Sequence, residues 1–187
     1  MKDFTHAAHG AGESAVGRSE AGETEGLGIR LAVLTVSDTR TKETDKSGQR
    51  IIQLAEEFGM EIAKYILCTD DAEAIHSIVA GWLLDPEIDA VITTGGTGIS
   101  LRDVTLEAVR PLFHKELDGF GELFRYLSFA EDIGTKAVLS RATAGTAGEK
   151  AVFVLPGSTG AVTLAMRRII LPEIAHILHE LTKHHLE

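Results

Sequence analysis

The chain has 187 residues, 44% of them hydrophobic, with a formal net charge of −10, and it is long enough for one α/β domain with a sizeable core. A single cysteine excludes an intramolecular disulfide, and no Cys/His cluster has zinc-finger spacing, so a reducing cytoplasm is the expected setting. The acidic balance argues against non-specific nucleic-acid binding, and the lack of a signal-peptide core or of any apolar run near ~20 residues argues against a membrane partner.

Residues 1–28 are rich in Gly, Ala, Glu, Ser and Thr and nearly without large apolar side chains. They cannot offset the entropy of ordering, so a disordered tail is expected there, with His6 and His9 as bystanders and the folded domain spanning 29–187. Ile29 to Ser37 is almost continuously apolar and β-branched, which suits a strand buried on both faces of a parallel sheet. It ends in Ser37-Asp38-Thr39-Arg40-Thr41. Ligands gather at that edge of open α/β sheets, so Ser37, Asp38 and Arg40 are candidate site residues, with a solvated loop as the alternative.

Asp45 or Ser47 can cap a helix in which Ile51, Leu54, Ala55 and Phe58 recur at helical spacing until Gly59 stops it. Met60 to Leu67 reads as a second strand, and Cys68 at its end reads as a buried, inert thiol. Thr69-Asp70-Asp71 then opens a helix with Ile75, Ile78, Val79, Trp82 and Leu83 on one face. These carboxylates have two readings: a helix N-cap, or a pair that holds Mg²⁺ beside phosphate oxygens.

The apolar run Ala90 to Ile92 leads through Thr93 and Thr94 into Gly95-Gly96-Thr97-Gly98 and then into a polar helix start. Glycines there remove the Cβ atoms that would keep a ligand from the backbone amides, and a following helix N-terminus favours an anion. Thr94, Thr97 and Ser100 can add hydroxyl donors, and Arg102 can add charge-assisted hydrogen bonds. Asp103 would repel a phosphate unless a metal ion lies between them, or unless it serves as an N-cap. The spacing fits neither a P-loop nor the G-x-G-x-x-G dinucleotide fingerprint, and taken alone such a loop is more often just a turn.

Thr105 to Leu112 reads as a short helix limited by Pro111. Glu116 to Arg125 leads into an amphipathic helix through about Ala130, with Phe120, Phe124 and Leu127 as core or subunit-contact residues. Glu122 there can anchor an amine or a pterin ring, or merely complement the helix dipole. Ala137 to Ala144 and Lys150 to Leu155 read as two further strands, joined by a hairpin-like loop from Gly145 to Gly148. Pro156-Gly157-Ser158-Thr159-Gly160 is a second Gly-rich strand-to-helix turn, opening a long helix that Pro172 kinks or restarts. The expected fold is a three-layer α/β/α domain with a mainly parallel sheet.

Several of these blocks occur together in one known family. Leu34-Thr35-Val36-Ser37-Asp38-Thr39-Arg40, Asp45-Lys46-Ser47-Gly48, Thr94-Gly95-Gly96-Thr97-Gly98, Arg102-Asp103-Val104-Thr105, Gly119-Phe120-Gly121-Glu122, Leu139-Ser140-Arg141 and Pro156-Gly157-Ser158 follow its order. From about Ile29 to Leu181 the chain resembles the molybdenum cofactor biosynthesis family that includes the bacterial MogA and MoaB proteins, with the MoaB branch the nearer match. The resemblance implies the molybdopterin-binding fold of that family and a Mg²⁺-dependent adenylyltransferase, with molybdopterin and ATP as substrates. The family's two functional aspartates fall on Asp70 and Asp103, implied as the catalytic and metal-binding pair. Ser37, Thr94 to Gly98, Ser100, Arg102, Glu122 and Pro156-Gly157-Ser158 are implied as substrate-binding. Some MoaB-branch proteins have lost activity and depart from the Arg-Asp-Val-Thr pattern, which this chain keeps.

The resemblance also implies a homotrimer or homohexamer, for which apolar residues such as Phe124 would suit the contacts, and other cofactor-biosynthesis proteins as partners. The alternative in a different functional class is a catalytically weak molybdopterin-binding or scaffold protein of the same pathway. A generic nucleotide- or phosphosugar-binding α/β domain is a third reading.

Overall fold

The computed structural model describes residues 27–185, so the expectations for the tail up to residue 26 and for the last two residues lie outside the described residues. The chain alternates strands and helices: β1 (Arg30–Val36), α1 (Lys46–Glu57), β2 (Glu61–Cys68), α2 (Ala72–Leu84), β3 (Ala90–Thr94) and α3 (Thr105–Val109). A 3₁₀ turn (Arg110–Leu112) leads to β4 (Lys115–Glu116), α4 (Asp118–Glu131) and a second 3₁₀ segment (Gly134–Leu139). β5 (Thr143–Ala147), β6 (Lys150–Leu155), α5 (Thr159–Ala165) and α6 (Leu171–Thr182) complete the described fold. The sheet order is β2-β1-β3-β6-β5-β4. Its first four strands are parallel, and β5 and β4 continue it by antiparallel pairing, so the sheet is mainly parallel.

Strand β1 shows why the sheet carries helices on both faces. Leu31 and Val33 point into one core with Ile51, Ile92, Phe153 and Met166, under α1, α4, α5 and α6. Ala32, Leu34 and Val36 point into the other, with Ile75, Val79, Trp82 and Val154, under α2 and α3. A strand whose alternate residues both need burial can lie only in the middle layer. Truncating a fully buried member such as Ile92 to alanine costs about 2–5 kcal/mol.

The two crossovers from β1 and from β2 place α1 and α2 on opposite faces. The carboxyl ends of β1 and β3 therefore border a crevice, the place where open α/β sheets bind ligands.

Three expectations need correction. Residues 137–144 do not form one strand. Gly134–Leu139 coils as a 3₁₀ segment in which Val138 and Leu139 are exposed, because only Ala137 has a core to enter. The strand is Thr143–Ala147, and Gly145 lies within it, where the ring of Phe113 occupies the space that a Cβ would take. The hairpin turn shrinks to Gly148-Glu149, with Gly148 at a φ of 59°. Phe124 is not an exposed contact residue: it is 1% exposed and stacks on Phe120 at 6.3 Å between ring centroids.

Pro172 starts a helix rather than breaking one. A π-helical turn over Met166–Ile170, with the Leu171 amide donating to the Met166 carbonyl, carries α5 into α6. Pro172 then falls in the first turn of α6, where its missing N–H is not needed.

Candidate functional site

Three loops at the carboxyl ends of β1, β3 and β6 enclose a cleft of about 490 Å³. The loop after β3 is its floor. Gly95 and Gly96 take φ of 96° and 60°, the left-handed region that disfavours side chains. A Cβ on Gly95 would run into the Val36 carbonyl, so the loop passes directly against the end of β1. Thr105 locks this path, its hydroxyl donating to the Gly95 carbonyl at 2.9 Å and its amide to that of Gly96 at 3.0 Å. Thr94 faces inward. Its hydroxyl donates to the Pro156 carbonyl at 3.0 Å, so it joins two loops instead of lining the cleft.

The carboxylates arrive from different directions. Asp70 follows β2, and a Cβ on Gly96 would lie 2.7 Å from its Oδ1. Asp103 follows the glycine loop, and a Cβ on Gly98 would lie 2.7 Å from its Oδ2. Both line the cleft. Asp70 is positioned through its backbone, since its amide donates to Asp38 Oδ1 at 3.1 Å, and Asp38 is ion-paired with Arg102. Burial, and then the charge of Asp103, push the Asp70 carboxyl above its ordinary range. Burial, with Asp70 and Asp71 nearby, pushes the Cys68 thiol up to about 11, which keeps it protonated and inert.

Among the described residues no group of three Asp, Glu, His or Cys side chains could hold a metal ion. Two carboxylates on one cleft still suit Mg²⁺, which commonly takes one or two carboxylates and completes its shell with phosphate oxygens and water. The donor set therefore fits an ion that arrives with oxygen ligands of its own better than a resident structural ion.

Pro156, Gly157 and Ser158 form the third loop. Ser158 caps α5, its Oγ accepting the Ala161 amide at 3.2 Å. Gly157 packs on Gly95, to whose Cα a Cβ would come within 3.1 Å, so the two Gly-rich turns touch. Ser37 also lines the cleft, and its Oγ accepts the amides of Thr39 and Arg40.

The expected site residues are thus not all assembled. Ser37, Gly95 to Gly98, Asp70, Asp103 and Pro156 to Ser158 meet in the cleft. Ser100 and Arg102 stand outside its lining, where the Ser100 amide donates to Asp103 Oδ2 at 2.9 Å and Arg102 pairs with Asp38. Glu122 is exposed on α4, away from the lining.

The far wall comes from the end of α4 and the 3₁₀ segment, and most of it was not anticipated. Ser128, Asp132, Lys136 and Ser140 contribute its polar groups. Ser140 Oγ is buried without a hydrogen-bond partner. Arg141 ties this wall to the floor, donating to the Gly98 carbonyl at 2.9 Å while paired with Glu107. The Leu-Ser-Arg block was the available signal for Ser140, whereas nothing in the local sequence marks Lys136 or Asp132.

A family profile described as "Probable molybdopterin binding domain" matches residues 32–176. The chain is 59% identical over 157 residues to molybdenum cofactor biosynthesis protein B of Staphylococcus carnosus (strain TM300), covering 83% of this chain and 92% of that protein. It resembles a crystal structure of a molybdenum cofactor biosynthesis protein B with a TM-score of 0.81 and 52% identity, over 83% of this chain and 96% of that one. A tungsten cofactor synthesizing protein MoaB from Pyrococcus furiosus matches with a TM-score of 0.72 and 40% identity, over 82% and 96%.

Proposed function

Because the chain belongs to the molybdopterin-binding domain family of molybdenum cofactor biosynthesis proteins, we propose that its cleft transfers the adenylyl group of ATP to the terminal phosphate of molybdopterin. The products are adenylyl-molybdopterin and pyrophosphate. The observation that carries this reading is the convergence of Asp70 and Asp103, from two different strand ends, on Gly96 and Gly98 of one Cβ-free loop.

The reaction asks little of a general base. The attacking phosphate oxygen is already anionic, and as it bonds to the α-phosphorus the bond to the bridging oxygen breaks and pyrophosphate leaves. The chain's task is to align two polyanions and to hold them against their mutual repulsion. Mg²⁺ bound through Asp70 and Asp103 would supply neutralisation of phosphate charge.

The backbone of Gly95 to Gly98 lets phosphate oxygens approach closely, and the Pro156-Gly157-Ser158 turn borders the same space. Lys136 is the cleft-lining cation with no acidic partner among the described residues, and it suits the developing negative charge. Ser140 Oγ, buried and unpartnered, suits a polar group of the pterin.

The test is turnover of molybdopterin, ATP and Mg²⁺ by the purified chain, followed as adenylyl-molybdopterin. Molybdopterin bound tightly without product would favour the scaffold reading.

A further inference from the structure

We infer that Arg40 is a positioning residue of the cleft: held from behind by the buried Asp45, it sets the Pro156-Gly157-Ser158 turn at its working distance from the glycine loop. The adenylyl-transfer reading gives Arg40 of the Ser-Asp-Thr-Arg block no role, and Asp45 of the Asp-Lys-Ser-Gly block none beyond the capping of α1.

Asp45 does more than a cap requires. Capping α1 needs one hydrogen bond, which the Gly48 amide supplies at 3.1 Å. Asp45 is nonetheless fully buried and also accepts from Thr35 Oγ1 at 2.6 Å, Tyr65 Oη at 2.7 Å and Ser47 Oγ at 3.1 Å. Those donors come from β1, β2 and α1, so the carboxylate is fixed by three elements of the framework. A buried carboxylate needs a countercharge as well as hydrogen bonds, and Arg40 Nη1 stands 3.4 Å from Oδ1.

The other side of the guanidinium faces the cleft loop. Nη1 also donates to Ser47 Oγ, and Nη2 donates to the Gly157 carbonyl at 2.9 Å. Three of the five N–H donors therefore have protein acceptors, so Arg40, which itself lines the cleft, is tied to Gly157 from the protein side. Gly157 is sandwiched: its missing Cβ would sit 3.1 Å from the Gly95 Cα and 3.9 Å from Arg40 Nη2. Releasing the carbonyl lets this turn lift from Gly95 and widens the cleft between its two Gly-rich turns.

The kinetic consequence rests on the transferase reading; the structural one does not. The experiment is hydrogen exchange of the substrate-free protein at the amides of 155–162, in wild type, Arg40→Met and Arg40→Lys. Arg40→Met keeps the aliphatic stem and loses the fork. Exchange at Ala161 and Val162, whose amides donate to the Oγ and the carbonyl of Ser158, should speed by about tenfold or more, the effect of one lost charge-assisted hydrogen bond, with β1 and β3 unchanged.

Low-millimolar guanidinium should slow it again, because the ion can refill the site between Asp45 and Gly157. Arg40→Lys should not restore protection, since an ammonium cannot span both acceptors. In the turnover assay, kcat/KM should fall through KM. Unchanged exchange in Arg40→Met, or faster exchange over the whole sheet that guanidinium does not reverse, would overturn the inference. Local faster exchange in a protein whose wild type makes no adenylyl-molybdopterin would uphold it while removing the transferase reading.

Discussion

Oδ1 of Asp71 accepts the Ala74 amide at 2.8 Å and caps α2, while Asp70, one residue earlier, turns its carboxylate to the cleft against Gly96. The two readings of this acidic pair are thereby divided between its members. Asp71→Ala should cost about 1 kcal/mol of stability, as lost caps do, and leave turnover nearly intact. Asp70→Asn should abolish most turnover without loss of stability. The Asp70 carboxyl is held above its ordinary range by burial and by Asp103, so in the metal-free protein its ionised form opposes folding. Thermal unfolding of the two variants checks this division, which fails if Asp70→Asn is the less stable one.

Gly96→Ala and Gly98→Ala should separate folding from function. At Gly96 the φ is 60° and the new Cβ meets both Thr105 Oγ1 and Asp70 Oδ1, so backbone strain and a clash add to a loss of roughly 1–3 kcal/mol. At Gly98 the φ is not positive and the Cβ meets only the end of the Asp103 side chain, which can swing away. Gly98→Ala should therefore keep the midpoint of denaturation close to wild type and still lose turnover, because Asp103 is displaced. Full activity in a folded Gly98→Ala protein would detach Asp103 from the chemistry.

Asp45 makes a prediction about acid stability. Burial by itself raises its pKa, but Thr35, Tyr65, Gly48 and Ser47 together outweigh burial and hold the carboxyl below its ordinary value. A depressed folded-state pKa contributes stability that is present above the unfolded value, about 3.9, and is lost as pH falls through the folded one. Denaturant titrations from neutral pH to below that point should show wild type losing this contribution. Asp45→Ala should be less stable at neutral pH, with a shallower acid limb; parallel limbs would mean that Asp45 carries no such linkage.

The face formed by α4 and the 3₁₀ segment should be a subunit contact. Tyr126, Phe129 and Val138 are 64%, 56% and 82% exposed and border one apolar hollow, a combination that marks an interaction surface. The wild type should sediment as a trimer or larger assembly, and Phe129→Glu should shift it toward monomer. An unchanged sedimentation coefficient would place the interface elsewhere.

Much of the architecture was legible because its residues answer to local rules. The β-branched runs of β1, β3 and β6 can be satisfied only inside a sheet, and Asp71, Ser158 and the Gly-rich turns announce helix starts. The region 134–147 misled because its apolar run resembles a strand, while its Val138 and Leu139 face outward. Two-residue β4 is too short for any periodicity, and it exists only because Lys115 and Glu116 meet Thr146 and Gly145.

The site divides in the same way. Asp70, Asp103 and the two glycine turns lie at strand ends, where sequence order and topology coincide. Lys136, Asp132 and Ser128 reach the cleft only through the way α4 and the 3₁₀ segment fold across it. Arg102 looked like a phosphate ligand from its neighbours, but the fold turns it to Asp38.

The most direct test is to incubate the purified chain with molybdopterin, ATP and Mg²⁺ and to measure adenylyl-molybdopterin and pyrophosphate by chromatography and mass. The two products should appear in equal amounts with wild type and vanish with Asp103→Asn or without Mg²⁺. Tight binding of molybdopterin with neither product formed would contradict adenylyl transfer and leave a binding protein of the same pathway.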